Sequence, residues 1–298
     1  MSAPLMMVCA SFLFATMGVC VKLASAWYGS GEIVMYRGLV GMAMMAVVCR
    51  QQGVTPKTGV PGMHLWRCVV GVTALSLWFY AIGGLPLATA VTLNYMSSIW
   101  MALFLIGGGV LLGGARVDGR LVLTVLVGFV GVAAILRPTF EQQQLWHGVV
   151  GLLSGVLSAV AYLQVTALGR AGEPESRVVF YFSLSGAVVG LVGSLLLGPG
   201  LHAHTWQGIG LLLAVGVCAT TAQLLMTRAY AVGRPLVNAS LQYLAIVFSY
   251  GYGVFVLGDA MSRLAVLGTV LIVGAGLAAS RLRQSQVGGA GKGGDVEA

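Results

Sequence analysis

Ten apolar stretches, each about the length of a bilayer span, follow one another along this chain with only short polar breaks between them. They fall near 4–26, 30–49, 66–84, 86–112, 119–136, 146–168, 178–197, 206–227, 235–257 and 264–281. A helix crossing the hydrocarbon core uses about 20 apolar residues. Lipid offers no partner to an open backbone group, so runs of this length must be helices. The alternating pattern of a membrane barrel is absent. The breaks carry turn chemistry, as in Tyr28-Gly29-Ser30-Gly31, Gly83-Gly84-Leu85-Pro86, Arg137-Pro138, Gly198-Pro199-Gly200 and Gly233-Arg234-Pro235. Composition points the same way: 58% of residues are hydrophobic and 8% charged, against roughly 25% charged in a soluble domain. A water-soluble globule is excluded, and the fold class is an all-α integral membrane protein of ten transmembrane helices.

The net charge of +8 comes from 16 Lys and Arg against 8 Asp and Glu. The basic residues stand one or two at a time between apolar runs, which is the pattern of membrane orientation and not of a nucleic-acid surface. Twelve of them fall in one set of loops: Arg50, Lys57, Arg67, Arg116, Arg120, Arg170, Arg177, Arg228, Arg234, Arg281, Arg283 and Lys292. The opposite loops hold two, Arg137 and Arg263, while Lys22 and Arg37 lie within or at the ends of spans. This bias places both termini in the cytoplasm of a bacterial-type inner membrane. Ala24-Ser25-Ala26 looks like a signal-peptide cleavage site, but no basic residue precedes the first run and Lys22 interrupts its end, so the run reads as a retained span. Residues 284–298, rich in glycine and polar residues, read as a disordered cytoplasmic tail. The five cysteines form no metal-ligand spacing and read as small apolar filler.

The chain also repeats itself. Tyr80-Ala81 followed by Pro86-Leu87 recurs as Ala229-Tyr230 followed by Pro235-Leu236, and Asn94-Tyr95 recurs as Gln242-Tyr243. Thr73, Ser76 and Tyr80 on one face of span 3 recur as Thr220, Gln223 and Thr227 in span 8. One shift of about half the chain relates them all. Each half then holds five spans, an odd number, so the second half enters the membrane from the opposite side. The expected domains are residues 1–138 and 145–283, two inverted five-helix repeats, an architecture of secondary transporters with the substrate site near the midplane.

At this point the chain resembles the EamA-type drug/metabolite transporters. The resemblance is carried by Phe12-Leu13-Phe14-Ala15 leading to Val21-Lys22-Leu23, by Glu32-Ile33-Val34-Met35-Tyr36-Arg37, by Gly128, Gly131 and Arg137-Pro138, and by Gly258-Asp259 with Gly268 and Gly274. It covers roughly 4–281, and the spacing of Asn94-Tyr95 with the aromatic cavity candidates is similar to the YddG-like amino-acid exporters. Two departures stand out. Gly113-Gly114-Ala115-Arg116 replaces the family's Gly-Glu after span 4, so the acidic latch is missing there. Ser97-Ser98 and Ala245-Ile246 occupy the places of prolines within spans 4 and 9, so no residue marks a mid-membrane break.

Ionisable residues within a bilayer are costly and point to function. Lys22, Glu32 and Arg37 are the candidates for a gate or outer-mouth charge, with Arg37 or Lys22 drawing in a substrate carboxylate. A second arrangement pairs Glu32 with Lys22 across the short loop and bonds Arg37 to helix-end carbonyls. Buried amides and aromatics supply the substrate-site candidates: Trp78, Tyr80, Asn94, Tyr95, Trp100, Tyr162, Gln164, Gln223, Asn238, Gln242 and Tyr243. Trp27, Trp66, Trp146 and Trp206 read as interface-belt residues, and Gly151-x-x-x-Gly155 and Gly186-x-x-x-Gly190 as close-packing sites.

No acid sits mid-span, and His64, His147, His202 and His204 read as loop residues. No G-x-S-x-G, H-E-x-x-H or phosphate-cradling loop is present. Catalysis, ATP hydrolysis, metal and cofactor are therefore not expected. The expected partners are the lipid bilayer and a small-molecule substrate, with a monomer expected and a dimer as the alternative. The resemblance implies export of aromatic or other apolar amino acids by alternating access. Uptake of a vitamin or nucleotide-like metabolite, or a role as lipid flippase or non-transporting partner, are the alternatives.

Overall fold

The computed structural model describes residues 2–111, 142–196, 200–232, 241–258 and 266–275, with single positions and pairs between 123 and 131, at 238, at 263–264 and at 277–278. Most of the fifth apolar stretch lies outside the described residues. So do Gly113-Gly114-Ala115-Arg116, Arg120, Gly128, Arg137-Pro138, Arg234, Pro235-Leu236, Asp259, Arg281, Arg283, Lys292 and the 284–298 tail.

The described residues are helical, with no strand among them. In chain order they form α1 (Ala3–Ala24), α2 (Ser30–Gln51), α3 (Pro61–Gly84), α4 (Leu87–Tyr95) and α5 (Ser97–Leu111). There follow α6 (Gln142–Arg170), α7 (Glu175–Leu196), α8 (Trp206–Val232), α9 (Leu244–Tyr252) with a π-turn over Gly253–Leu257, and α10 (Val266–Ala275). Six of these, α1, α2, α3, α6, α7 and α8, are long and apolar enough to cross a membrane.

Local chemistry sets the helix ends. Pro61 opens α3, where a missing N–H costs nothing. Thr205 Oγ1 accepts the Gly208 N–H at 3.1 Å and caps α8. Beyond α6, Gly172 takes φ +78°, which lets the Glu173 N–H reach back to the Leu168 carbonyl at 3.1 Å.

Span 4, expected as one helix, is two. Between α4 and α5 the Ile99 N–H reaches only three residues back, to the Met96 carbonyl at 2.9 Å, and Thr92 Oγ1 bonds the Ala88 carbonyl at 2.6 Å. A tightened turn next to a hydroxyl back-bond breaks the helix without proline. The same tightening recurs at the start of α9, where Ile246 N–H meets the Tyr243 carbonyl at 3.0 Å.

The helices pack α2 on α7, α1 on α8 and α3 on α6, with α9 against α1 and α4 against α6. The α2–α7 contact is backbone to backbone. A β-carbon on Gly38 would strike the Ala187 backbone, and one on Gly190 would strike Met35. Gly151 and Gly155 approach Leu93 and Asn94 of α4, whereas Gly186 faces open space. Polarity is inverted relative to a soluble protein. Asn94, Ser158, Thr220 and Gln242 are buried, while Leu65, Val188, Leu196 and Phe255 face outward. The expected belt residues Trp27, Trp66, Trp146 and Trp206 are all exposed near helix ends.

Candidate functional site

A cavity of about 50 Å³ lies among α1, α2, α3, α4, α6, α7 and α8. A single water occupies about 30 Å³, so in this conformation it is too small for an organic metabolite. Its lining includes Arg37 of α2, Arg67 and Trp78 of α3, Asn94 and Tyr95 of α4, Ser158 and Tyr162 of α6, Phe182 of α7 and Gln223 of α8.

Six of the sequence candidates therefore meet here: Arg37, Trp78, Asn94, Tyr95, Tyr162 and Gln223. Asn94 is fixed by α6, its Nδ2 donating to Ser154 Oγ at 3.0 Å and Ser158 Oγ at 3.1 Å. Tyr162 stacks on Tyr230, centroids 6.3 Å apart. Arg37 lies seven residues into α2, about 10 Å from its start. It is 3% exposed, with its guanidinium carbon 5.1 Å from the Phe182 ring centroid. Its buried Nε has no hydrogen-bond partner among the described residues, so the helix-end arrangement is not the one adopted.

Sequence reasoning missed Arg67, which it placed in a cytoplasmic loop. The residue is inside α3, 3% exposed, and its guanidinium carbon lies 4.3 Å from the same Phe182 centroid. Its Nε and Nη1 are buried without a partner among the described residues. Gly71, one turn on, makes room for it, since a β-carbon there would run into Arg67 Nη1. A signal was present: Arg67, Gly71, Ala74 and Trp78 fall at i, i+4, i+7 and i+11, a single helix face. Phe182 and Ser158 were missed as well.

Other candidates lie elsewhere. Tyr80 is 40% exposed and stacks on His147 at 4.6 Å. With Tyr28, Ser76 and Ser194 it lines a separate groove of about 650 Å³ between the ends of α1, α2, α3 and α7. Thr73 shares its outward orientation, while Thr220, Gln223 and Thr227 are buried. Trp100 packs against the cluster of Met101 and Ala159. Gln164 is partly buried. Asn238 donates to the Ala229 carbonyl at 2.5 Å, and Gln242 Nε2 donates to Met226 Sδ at 3.3 Å. These four and the buried Tyr243 do not line the cavity.

The Glu32–Lys22 pair of the second arrangement is not formed. Lys22 Nζ donates to the carbonyls of Ile82, Gly83 and Leu85 at 3.1, 3.2 and 2.7 Å, closing the end of α3. Glu32 instead takes His202, whose Nδ1 lies 2.9 Å away and whose backbone N–H lies 3.3 Å away. Two of the histidines read as loop residues sit on helices, His147 in α6 and the buried His64 in α3. His64 Nε2 meets Glu173 at 3.0 Å, Arg177 Nη1 meets the same oxygen at 3.0 Å, and Thr58 Oγ1 donates to the other oxygen at 2.8 Å. Burial acts to raise the Glu173 carboxyl. The bonds from Thr58, His64 and Arg177, with the Arg177 charge, outweigh it and hold the carboxyl below its ordinary range.

The relatives of this chain are named as transporters. Residues 1–137 match the EamA-like transporter family. The Pseudopaline exporter CntI of Pseudomonas aeruginosa is 34% identical, over 95% of this chain and 97% of its own length. A Riboflavin transporter of Rhizobium johnstonii is 26% identical over 74% of this chain and 70% of its own. A solved crystal structure shares the fold, with a TM-score of 0.68 at 19% identity over 94% of this chain and 97% of that one. With a transporter aligned at this identity nearly end to end, the chain belongs to the EamA-like transporter family of multi-pass membrane proteins.

Proposed function

We propose that this protein is a secondary transporter that exports a small carboxylate-bearing metabolite by alternating access between two inverted five-helix halves, without ATP hydrolysis. The observation that carries the reading is the cavity in which Arg37 and Arg67 converge on Phe182 among Trp78, Tyr95 and Tyr162. Guanidinium groups take carboxylates in a bidentate way, and aromatic walls suit an organic body. Amino acids with aromatic or apolar side chains are the candidates that the sequence brings forward, and the similarity to the Pseudopaline exporter CntI favours export.

The inverted-repeat reading draws support from the helix pairing. Exchanging the two halves turns the α1–α8 contact into the α3–α6 contact and leaves α2–α7 unchanged. The two tightened turns, at Met96 and Tyr243, lie at equivalent places by the same shift. Removing Arg67 from the loop set leaves eleven basic residues against two, which still favours cytoplasmic termini. Both ends of the α2–α7 pair are tied by a carboxylate–imidazole contact, Glu32–His202 at one and Glu173–His64 at the other. Those ends are where alternating access would open.

Uptake of a vitamin is the second reading, favoured by the similarity to the Riboflavin transporter. Counterflow of labelled solutes into proteoliposomes tests both. Saturable exchange of a carboxylate metabolite is the expected result, and exchange of riboflavin alone would replace the first reading with the second.

A further inference from the structure

We infer that the cavity is built for an organic dianion, a molecule with two carboxylates or one phosphate ester, and not for a zwitterion of no net charge. The inference rests on the transporter reading above and replaces its carboxylate class, uncharged amino acids included, by a class set by double negative charge. Arginine keeps its charge in any protein environment. Two such charges, each 3% exposed, face one ring from different helices, separated by no more than the sum of their 5.1 and 4.3 Å distances to its centroid. Among the described residues no Asp or Glu lines the cavity. The acids among the described residues, Glu32, Glu173 and Glu175, stand at the two ends of the α2–α7 pair.

A buried charge left unpaired is a standing cost to the fold, and three guanidinium nitrogens here lack any acceptor among the described residues. A single carboxylate satisfies one guanidinium. The ammonium of a neutral amino acid would then face the other with no acid to meet it. A dianion answers both cations, and the aromatic wall accepts the carbon frame between them. Gly71 fits the same purpose, because any side chain there would displace the Arg67 head from its place over Phe182. The cavity must widen to admit such a molecule, since its present volume is about 50 Å³.

The test uses the full-length protein in nanodiscs and proteoliposomes at fixed ionic strength, with succinate, glycerol phosphate, benzoate and phenylalanine as probes. Succinate or glycerol phosphate should raise the thermal midpoint at concentrations at least tenfold below those needed for benzoate or phenylalanine. Which of the two is stronger tells a dicarboxylate from a phosphoryl substrate. Arg37→Gln and Arg67→Gln should each weaken that response at least tenfold, and Arg37→Lys and Arg67→Lys should restore part of it. Gly71→Ala should behave as Arg67→Gln does while the ligand-free midpoint stays near wild type, which keeps the test decisive if a glutamine variant fails to fold. Equal responses to phenylalanine and succinate, or an unchanged succinate response in both glutamine variants, would overturn the inference. Phenylalanine counterflow without any dianion response would leave the transporter reading standing and remove this one. Silence from all four solutes in folded protein would remove both.

Discussion

The two ends of the α2–α7 pair are closed by the same kind of contact, a carboxylate on an imidazole, but they are built to different strengths. At one end Glu32, in the first turn of α2, meets His202 in the loop before α8, and the His202 side chain is 38% exposed. At the other, Glu173 precedes α7, its side chain is 7% exposed, and it holds His64, Arg177 and Thr58 together. Further bonds tie α7 to the loop after α2: Arg177 Nε to the Thr55 carbonyl at 2.9 Å, Ser176 Oγ to Gln52 at 3.0 Å, and Tyr181 Oη to the Pro56 carbonyl. The difference lies in the partner. Arg177 supplies a charge that does not titrate away, whereas Glu32 has an imidazole and a backbone N–H. Under the orientation proposed above, the stronger tie would face the cytoplasm.

The largest effect should come from the crossing that both ties share. Gly38→Val places a side chain against the Ala187 backbone, and neither helix can yield there, because Gly190 meets the Met35 backbone one turn along. A cost above about 3 kcal/mol is expected, read as loss of the monodisperse peak in detergent. A variant that folds normally would mean that the two ends are held independently of the crossing.

How much of this was legible beforehand differs by feature. Six long apolar spans were, because a bilayer enforces length and composition along the chain itself. The convergence of Arg37, Trp78, Asn94, Tyr95, Tyr162 and Gln223 was legible in part, since polar and aromatic groups in spans must face the interior. Arg67 carried a signal in its spacing with Gly71, Ala74 and Trp78, but it follows His64 and Trp66 and so looks like the edge of a loop. The ties were not either. Glu32 and His202 are 170 positions apart and Glu173 and His64 are 109, and nothing local in a sequence records such pairs. The breaks at Met96 and Tyr243 arise from three-residue backbone bonds that need no proline or glycine to announce them.

The Glu173 tie comes next in size. Glu173→Ala removes the acceptor shared by Thr58, His64 and Arg177 and leaves the arginine unpaired, at a cost of about 3 kcal/mol. The pH dependence has a definite sign. The Glu173 carboxyl is held below its ordinary range in the folded protein. Its contribution is therefore complete above the unfolded value of about 4.3 and is lost as pH falls through the folded one. The gap in thermal midpoint between wild type and Glu173→Gln should stay constant from pH 8 to about pH 5 and close below about pH 4. A gap that stayed open at acid pH would mean that the Glu173 charge is not what holds this end.

The smallest effect belongs to the other end. His202→Ala takes away the imidazole but leaves the His202 N–H on Glu32 and opens the site to water, so about 1 kcal/mol is expected. The neighbouring contacts, His204 with Tyr36 at 2.7 Å and with Tyr28 at 3.4 Å, stay in place and limit the loss. If the asymmetry matters for transport, this variant should expose its own end alone. A cysteine introduced at Ser30 should then label faster with an impermeant maleimide in His202→Ala than in wild type, and one introduced at Thr55 should not. Equal acceleration at both positions would mean that the two ties open together, and the comparison between them would lose its meaning.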